Sequence, residues 1–129
     1  MYGPSRSSVP SKPTFLYIET DLEMARQVQQ NLHHHGFKLL VATGEQEGQN
    51  LASQVPLQGI LIGQKLRGQS VLALGATFHQ AFPKLPLLLL ASSLEGDMVK
   101  QAIQAGFSDF LFFDPAAPFC QALPARLRA

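Results

Sequence analysis

The chain is 129 residues long, room for one domain at about 100 to 200 residues each and enough to bury a core without disulfides or a structural metal. Ten Lys and Arg against nine Asp and Glu leave a formal charge of +1, too balanced to single out nucleic acid or an anionic membrane as partner, while 46% hydrophobic residues supply a core. The single cysteine, Cys120, has no partner within the chain; this excludes a disulfide framework, reads as a small buried or half-buried thiol, and fits a reducing cytoplasm.

Residues 1 to 13 (MYGPSRSSVPSKP) hold three prolines and no apolar stretch, so they read as a flexible leader and not as a signal peptide. A domain over residues 14 to 129 is expected to follow. Its longest apolar run, Leu87 to Ala91 behind Leu85 and Pro86, is far below the roughly 18 residues of a spanning helix, so no membrane segment is expected.

From Thr14 onward short apolar runs alternate with longer amphipathic stretches, the pattern of strands joined by crossover helices. Phe15 to Glu19 (FLYIE) is the first strand. A first helix over 22–35 follows, with Leu22, Ala25, Val28, Gln29 and Leu32 at helical spacing and Gly36 as its left-handed stop. Lys38 to Ala42 is the second strand, and Glu45 to Val55 a weaker, Gln-rich helix with Leu51 and Val55 on one face. Gly59 to Gly63 is the third strand, followed by a helix over 69–82 that the Pro83-Lys84-Leu85-Pro86 turn ends. Leu87 to Ala91 is the fourth strand. Its helix spans Glu95 to Ala105, with Val99, Ala102 and Ile103 inward and Gly106 as the stop; Asp109 to Phe113 is the fifth strand. A last helix over 117–128 is interrupted by Pro124.

Five such strand and helix pairs predict an α/β fold, a doubly wound five-stranded parallel sheet of the flavodoxin-like type with strand order 2-1-3-4-5. Ligands of such sheets sit at the carboxyl ends of the strands, where strands one and three part. Those ends supply Glu19, Thr20 and Asp21, then Gly63 and Gln64, then Ala91 and Ser92, then Phe113 and Asp114.

Several local patterns resemble the receiver domains of two-component response regulators, over essentially all of residues 14 to 129. Phe15-Leu16-Tyr17-Ile18-Glu19-Thr20-Asp21 looks like the family's apolar strand ending in an acidic cluster, and residues 85–92 (LPLLLLAS) look like its fourth strand. Most specific is Ala102-Ile103-Gln104-Ala105-Gly106-Phe107-Ser108-Asp109-Phe110-Leu111, similar to the family's helix-Gly-Ala-Asp-Asp-Tyr-Leu segment.

The resemblance implies a site of two acidic Mg²⁺ ligands, a phosphoacceptor aspartate, a Thr or Ser that contacts the phosphoryl group, and a Lys that pairs with it. Carried over position by position, Glu19 takes the first acidic place, but Thr20 takes the second, with Asp21 one further on. Gly63 falls at the phosphoacceptor, Ala91 at the hydroxyl residue with Ser92 beside it, Phe113 at the lysine and Asp114 at the proline after it. No Asp or Glu occurs from residue 48 to 94, and a slip of alignment meets only Ile62, Gln64 or Lys65. Glycine offers no nucleophile, so no acyl phosphate can form at that position. With the carboxylates depleted and no phosphate, a hard cation such as Mg²⁺ has little reason to bind tightly. This is the pattern of a pseudo-receiver.

Other candidate sites are weaker. His33, His34 and His35 with His79 invite a metal, yet adjacent helical residues point about 100° apart, and His⁺ suits a helix C-terminus; a solvated helix end is the expectation. Glu19 and Asp21 are open to two readings, a weak divalent site or relics that cap the first helix. Gly59, Gly63 and Gly68 fit neither a dinucleotide nor a Walker spacing, and Glu19-Thr20-Asp21 would repel a flavin phosphate. Phe107, Phe110, Phe112, Phe113 and Phe119 crowd the final third, either as core or, with Lys100 and Gln104, as an apolar partner face.

The function expected is therefore non-enzymatic: a cytoplasmic, phosphorylation-independent pseudo-receiver acting through a protein partner, a second copy of the chain included, with no cofactor and no metal. The expected face is the fourth helix, fifth strand and last helix. Three alternatives stand beside it: a sensor for a small apolar or redox ligand near Gly63, Ala91 and Phe113; a receiver phosphorylated at an unorthodox residue; and a domain cut from a longer transcriptional regulator.

Overall fold

The apolar runs become neighbouring strands of one sheet in a computed structural model that describes residues 13–64, 66–91 and 96–112, the side chains of Leu111 and Phe112 excepted. In chain order the elements are β1 (Thr14–Ile18), α1 (Leu22–His34), β2 (Lys38–Ala42), α2 (Glu45–Gln54), β3 (Gly59–Gly63), α3 (Val71–Ala81), β4 (Leu87–Ala91), α4 (Gly96–Ala105) and β5 (Asp109–Phe112). The strands run parallel in the order β2-β1-β3-β4-β5, the doubly wound arrangement expected. Residues 1–12 of the leader expected over 1–13, Cys120, Phe119 and the helix expected over 117–128 lie outside the described residues.

Side chains alternate across a strand, and this sorts the core into two layers. Phe15 and Tyr17 of β1, Leu61 of β3 and Leu88 and Leu90 of β4 pack with Ala25, Val28 and Leu32 of α1. Leu16, Ile18, Ile60, Ile62, Leu87 and Leu89 face the other way, onto Leu74 and Phe78 of α3 and Ala102 of α4. Every residue of β3 and β4 is buried, so these strands read as unbroken apolar runs instead of alternating ones.

Two helices end by the same device. After α1, Gly36 adopts φ 86°, its N–H donates to His33 O, and the Phe37 N–H donates to Leu32 O. After α4, Gly106 adopts φ 109°, its N–H donates to Ile103 O, and the Phe107 N–H donates to Ala102 O. In this motif the residue after glycine closes a hydrophobic contact on the helix, and Phe37 and Phe107 are both buried, one in each layer. Phe107 is therefore core and not part of a partner face. Its ring lies against Gly75 of α3, where an added Cβ would stand 2.8 Å from Phe107 Cζ.

Helix starts are set by their caps. Ser70 accepts the Ala73 N–H at 3.2 Å, so α3 begins at Val71 and not at 69. The weak apolar face of α2 is offset by Gly48, which lets the helix approach so closely that a Cβ there would stand 2.9 Å from Phe78 Cζ. Two expected core positions are wrong. Leu22, the first residue of α1, precedes the inward stripe and is 65% exposed; Ile103 is 58% exposed, because α4 turns Met98, Ala102 and Ala105 to the sheet instead.

Candidate functional site

The carboxyl ends of β1 and β3 lie side by side, since Ile18 pairs with Ile62. Just past β1 the Glu19 N–H donates to Ala42 O at 3.0 Å, continuing the parallel ladder with β2 by one residue. Tyr17 and Glu19, two apart on an extended backbone, therefore share a face. The Tyr17 hydroxyl donates to Glu19 Oε1 at 2.8 Å, and the Asp21 N–H donates to Oε2 at 3.1 Å. At 5% exposure Glu19 is the one buried charged side chain among the described residues. Burial above all, then the charge of Glu19, the hydrogen bond to it and the charge of Asp21, hold the Tyr17 phenol far above its usual pKa.

Gly63 closes β3 directly beneath that carboxylate. A Cβ built on Gly63 would overlap Glu19 Oε1 and stand 3.0 Å from its Cδ. No side chain fits at residue 63 while Glu19 keeps its place. Beside Gly63 the crevice is thus lined by a buried, hydrogen-bonded carboxylate. Ala91, buried, ends β4; Ser92, Phe113, Asp114 and Lys65 lie outside the described residues.

The residues after Glu19 tie the loops together. Thr20 Oγ1 accepts the Arg67 N–H at 3.2 Å from the loop that follows β3. Gln69 Nε2 donates to Thr43 O at 3.1 Å and to Arg67 O at 3.4 Å, which joins the loop after β2. Asp21 caps α1, its Oδ1 accepting the N–H groups of Glu23 and Met24, both at 3.1 Å. Of the two acids read as helix caps, Asp21 is one; Glu19 turns inward instead.

The other candidates separate in space. His33, His34 and His35 end α1 on one layer, with His35 Nδ1 2.9 Å from Asn31 O; His79 belongs to α3 on the other, against Gly106. The four do not converge, and the described residues contain no group of three or more side chains able to hold a metal ion. A groove of about 600 Å³, lined by Gln29, His33, Phe37, Lys38 and Leu39 among others, lies at the far end of the sheet from Gly63. On the expected partner face Lys100 and Gln104 are exposed on α4, and Phe110 is half-buried against the core layer of α3 and α4; the side chain of Phe112 is not described.

Sequence reasoning found Glu19, Thr20, Asp21 and Gly63 but missed Tyr17, Arg67 and Gln69. A tyrosine two residues before a carboxylate was a usable signal for the first. The two loop contacts span 47 and 26 residues and have no local signature.

No family model and no curated protein matches this sequence. Solved structures do. The signal receiver domain of an HD domain-containing protein from Pseudomonas fluorescens superposes with a TM-score of 0.77 at 21% identity, covering 93% of this chain and 87% of that one. The chemotaxis protein CheY4 of Vibrio cholerae gives 0.78 at 13% identity over 89% and 98%. A response regulator from Thermotoga maritima gives 0.77 at 20% identity over 91% and 95%. The chain has the receiver-domain fold, a five-stranded, flavodoxin-like parallel sheet.

Proposed function

We propose that the chain is a receiver-like signalling module that works through protein contacts and is not phosphorylated. One observation carries this reading: on a receiver-type sheet, Gly63 stands at the end of β3, and the carboxylate beside it belongs to Glu19 just past β1, is buried and already accepts two hydrogen bonds. Glycine supplies no nucleophile, and a Glu19 carboxylate without access to donor or metal does not replace one. The module is then non-enzymatic, and its output is a surface. The face of α4 and β5, with Lys100, Ile103 and Gln104 outward, suits a protein partner or a second copy of the chain, in a cytoplasmic two-component type of system.

The test is incubation with acetyl phosphate and Mg²⁺ followed by intact mass measurement. The reading expects an unchanged mass, and a gain of one phosphate would refute it. A ligand sensor built on an apolar crevice is not favoured, since the Glu19 carboxylate fills the floor of that crevice.

A further inference from the structure

We propose that Glu19 is the residue that closes the crevice to phosphorylation: its carboxylate, held by two hydrogen bonds, takes the place of an acceptor side chain on β3 and braces the loops after β1 and β3 in one arrangement. The inference rests on reading the chain as an unphosphorylated receiver-like module, and it assigns the residue responsible.

The argument begins with what a buried carboxylate requires. It is tolerated only if donors satisfy it, and both donors of Glu19 come from its own segment: the Tyr17 hydroxyl at 2.8 Å and the Asp21 N–H at 3.1 Å. Neither depends on β3. The strand opposite contributes only space, through the absent Cβ of Gly63, and the carboxylate fills it. Residues 19 and 63 are therefore a matched pair, filler and gap, in which a side chain on one excludes the observed position of the other.

The next two residues convert this placement into a fixed crevice. Holding the Asp21 N–H orients the residue whose carboxylate caps α1, and Thr20 between them receives the Arg67 N–H from the loop after β3. Glu19, Thr20 and Asp21 thus fill, tie and cap in succession. Glu19 is a positioning residue here; nothing reacts at it.

A double-mutant cycle between Glu19→Ala and Gly63→Ala tests the pairing, with thermal midpoints and the hydrogen exchange of the Arg67 amide as readouts. Gly63→Ala is expected to lower the midpoint by at least about 4 °C in the parent protein and by less than about 1 °C once Glu19 is alanine. The Arg67 amide is expected to exchange about tenfold faster in Glu19→Ala and to stay slow in Glu19→Gln, which keeps the shape and one acceptor oxygen. A side chain that merely filled volume would leave the Arg67 amide unmoved. Equal losses for Gly63→Ala in both backgrounds would overturn the proposal, as would unchanged Arg67 exchange. Should Glu19→Ala fail to fold, Glu19→Asp replaces it, with the loss for Gly63→Ala expected to be smaller than in the parent; an equal loss counts against the pairing. Phosphate uptake by the parent would refute the functional reading and the closure with it, while the pairing of residues 19 and 63 would still stand on the cycle; additivity in the cycle would refute the pairing alone.

Discussion

The Glu19 carboxylate lies where any side chain on Gly63 would have to stand, and the Tyr17 hydroxyl holds it there at 2.8 Å. A receiver-type sheet is thereby left with a carboxylate at the right edge but on the wrong strand, turned inward and already bonded. On the proposed reading, β3 performs no phosphoryl chemistry for two linked reasons, one of composition and one of space.

Restoring the acid does not restore the site. Gly63→Asp forces a second carboxylate against Glu19, and overpacking plus like-charge repulsion are expected to destabilise the fold by about 2 to 4 kcal/mol. Urea unfolding measures the loss, and the variant is expected to take up no phosphate from acetyl phosphate and Mg²⁺. A variant as stable as the parent would mean that Glu19 does not occupy this position.

Tyr17→Phe removes one of the two donors that satisfy a buried carboxylate. The expected loss is about 1 to 3 kcal/mol, the usual penalty for a buried polar group deprived of a partner, with little change in packed volume. Equilibrium unfolding of parent and variant side by side decides it. Equal stability would show that the hydroxyl contributes nothing to holding Glu19.

The same phenol makes the fold sensitive to alkali. Its pKa is raised in the folded protein, so the neutral form is favoured there, and the stability it contributes is complete below about pH 10, where the unfolded tyrosine is also neutral. Above that the unfolded chain releases a proton that the folded chain retains. Stability falls by up to about 1.4 kcal/mol per pH unit. In a Tyr2→Phe variant Tyr17 is the sole tyrosine, and its phenolate absorbance is expected to rise together with loss of secondary structure. A phenolate that forms while the fold persists would contradict the burial.

On α4 and the segment behind it, buried and exposed positions should respond in opposite ways. Phe107→Ala removes the ring that closes α4 onto Gly75 and is expected to lose about 3 to 5 kcal/mol. Ile103→Asp, at a position 58% exposed, is expected to change stability by less than about 0.5 kcal/mol while weakening any self-association through this face. Light scattering and denaturant unfolding on the two variants separate the effects.

Much of the fold was legible because burial on both faces leaves a plain trace. GILIG and LLLLA announce central parallel strands, and Gly36 and Gly106 announce helix ends. What misled was direction within a helix. Ile103 is as apolar as its neighbours, but only packing decides whether the stripe of α4 runs through Val99 and Ile103 or through Met98 and Ala105. By residue type alone Phe107 fits a partner face as well as a core; the Gly106-Phe107 helix ending, which repeats that of Gly36 and Phe37, turns it into the core. At the site, the glycine at the end of β3 was legible, since it is a matter of residue type. That Glu19 fills the gap was not, because it depends on a contact across two strands about 44 residues apart, which no local spacing encodes.

The most direct test of the account is solution mass by light scattering across a concentration series, with and without Mg²⁺ and beryllofluoride as phosphoryl analogue. The account predicts the same mass at each concentration in every condition, because the crevice presents no acceptor for the analogue to occupy. A mass that shifts when Mg²⁺ and beryllofluoride are added together would contradict it, since the shift requires a working phosphoryl site coupled to the protein's contacts.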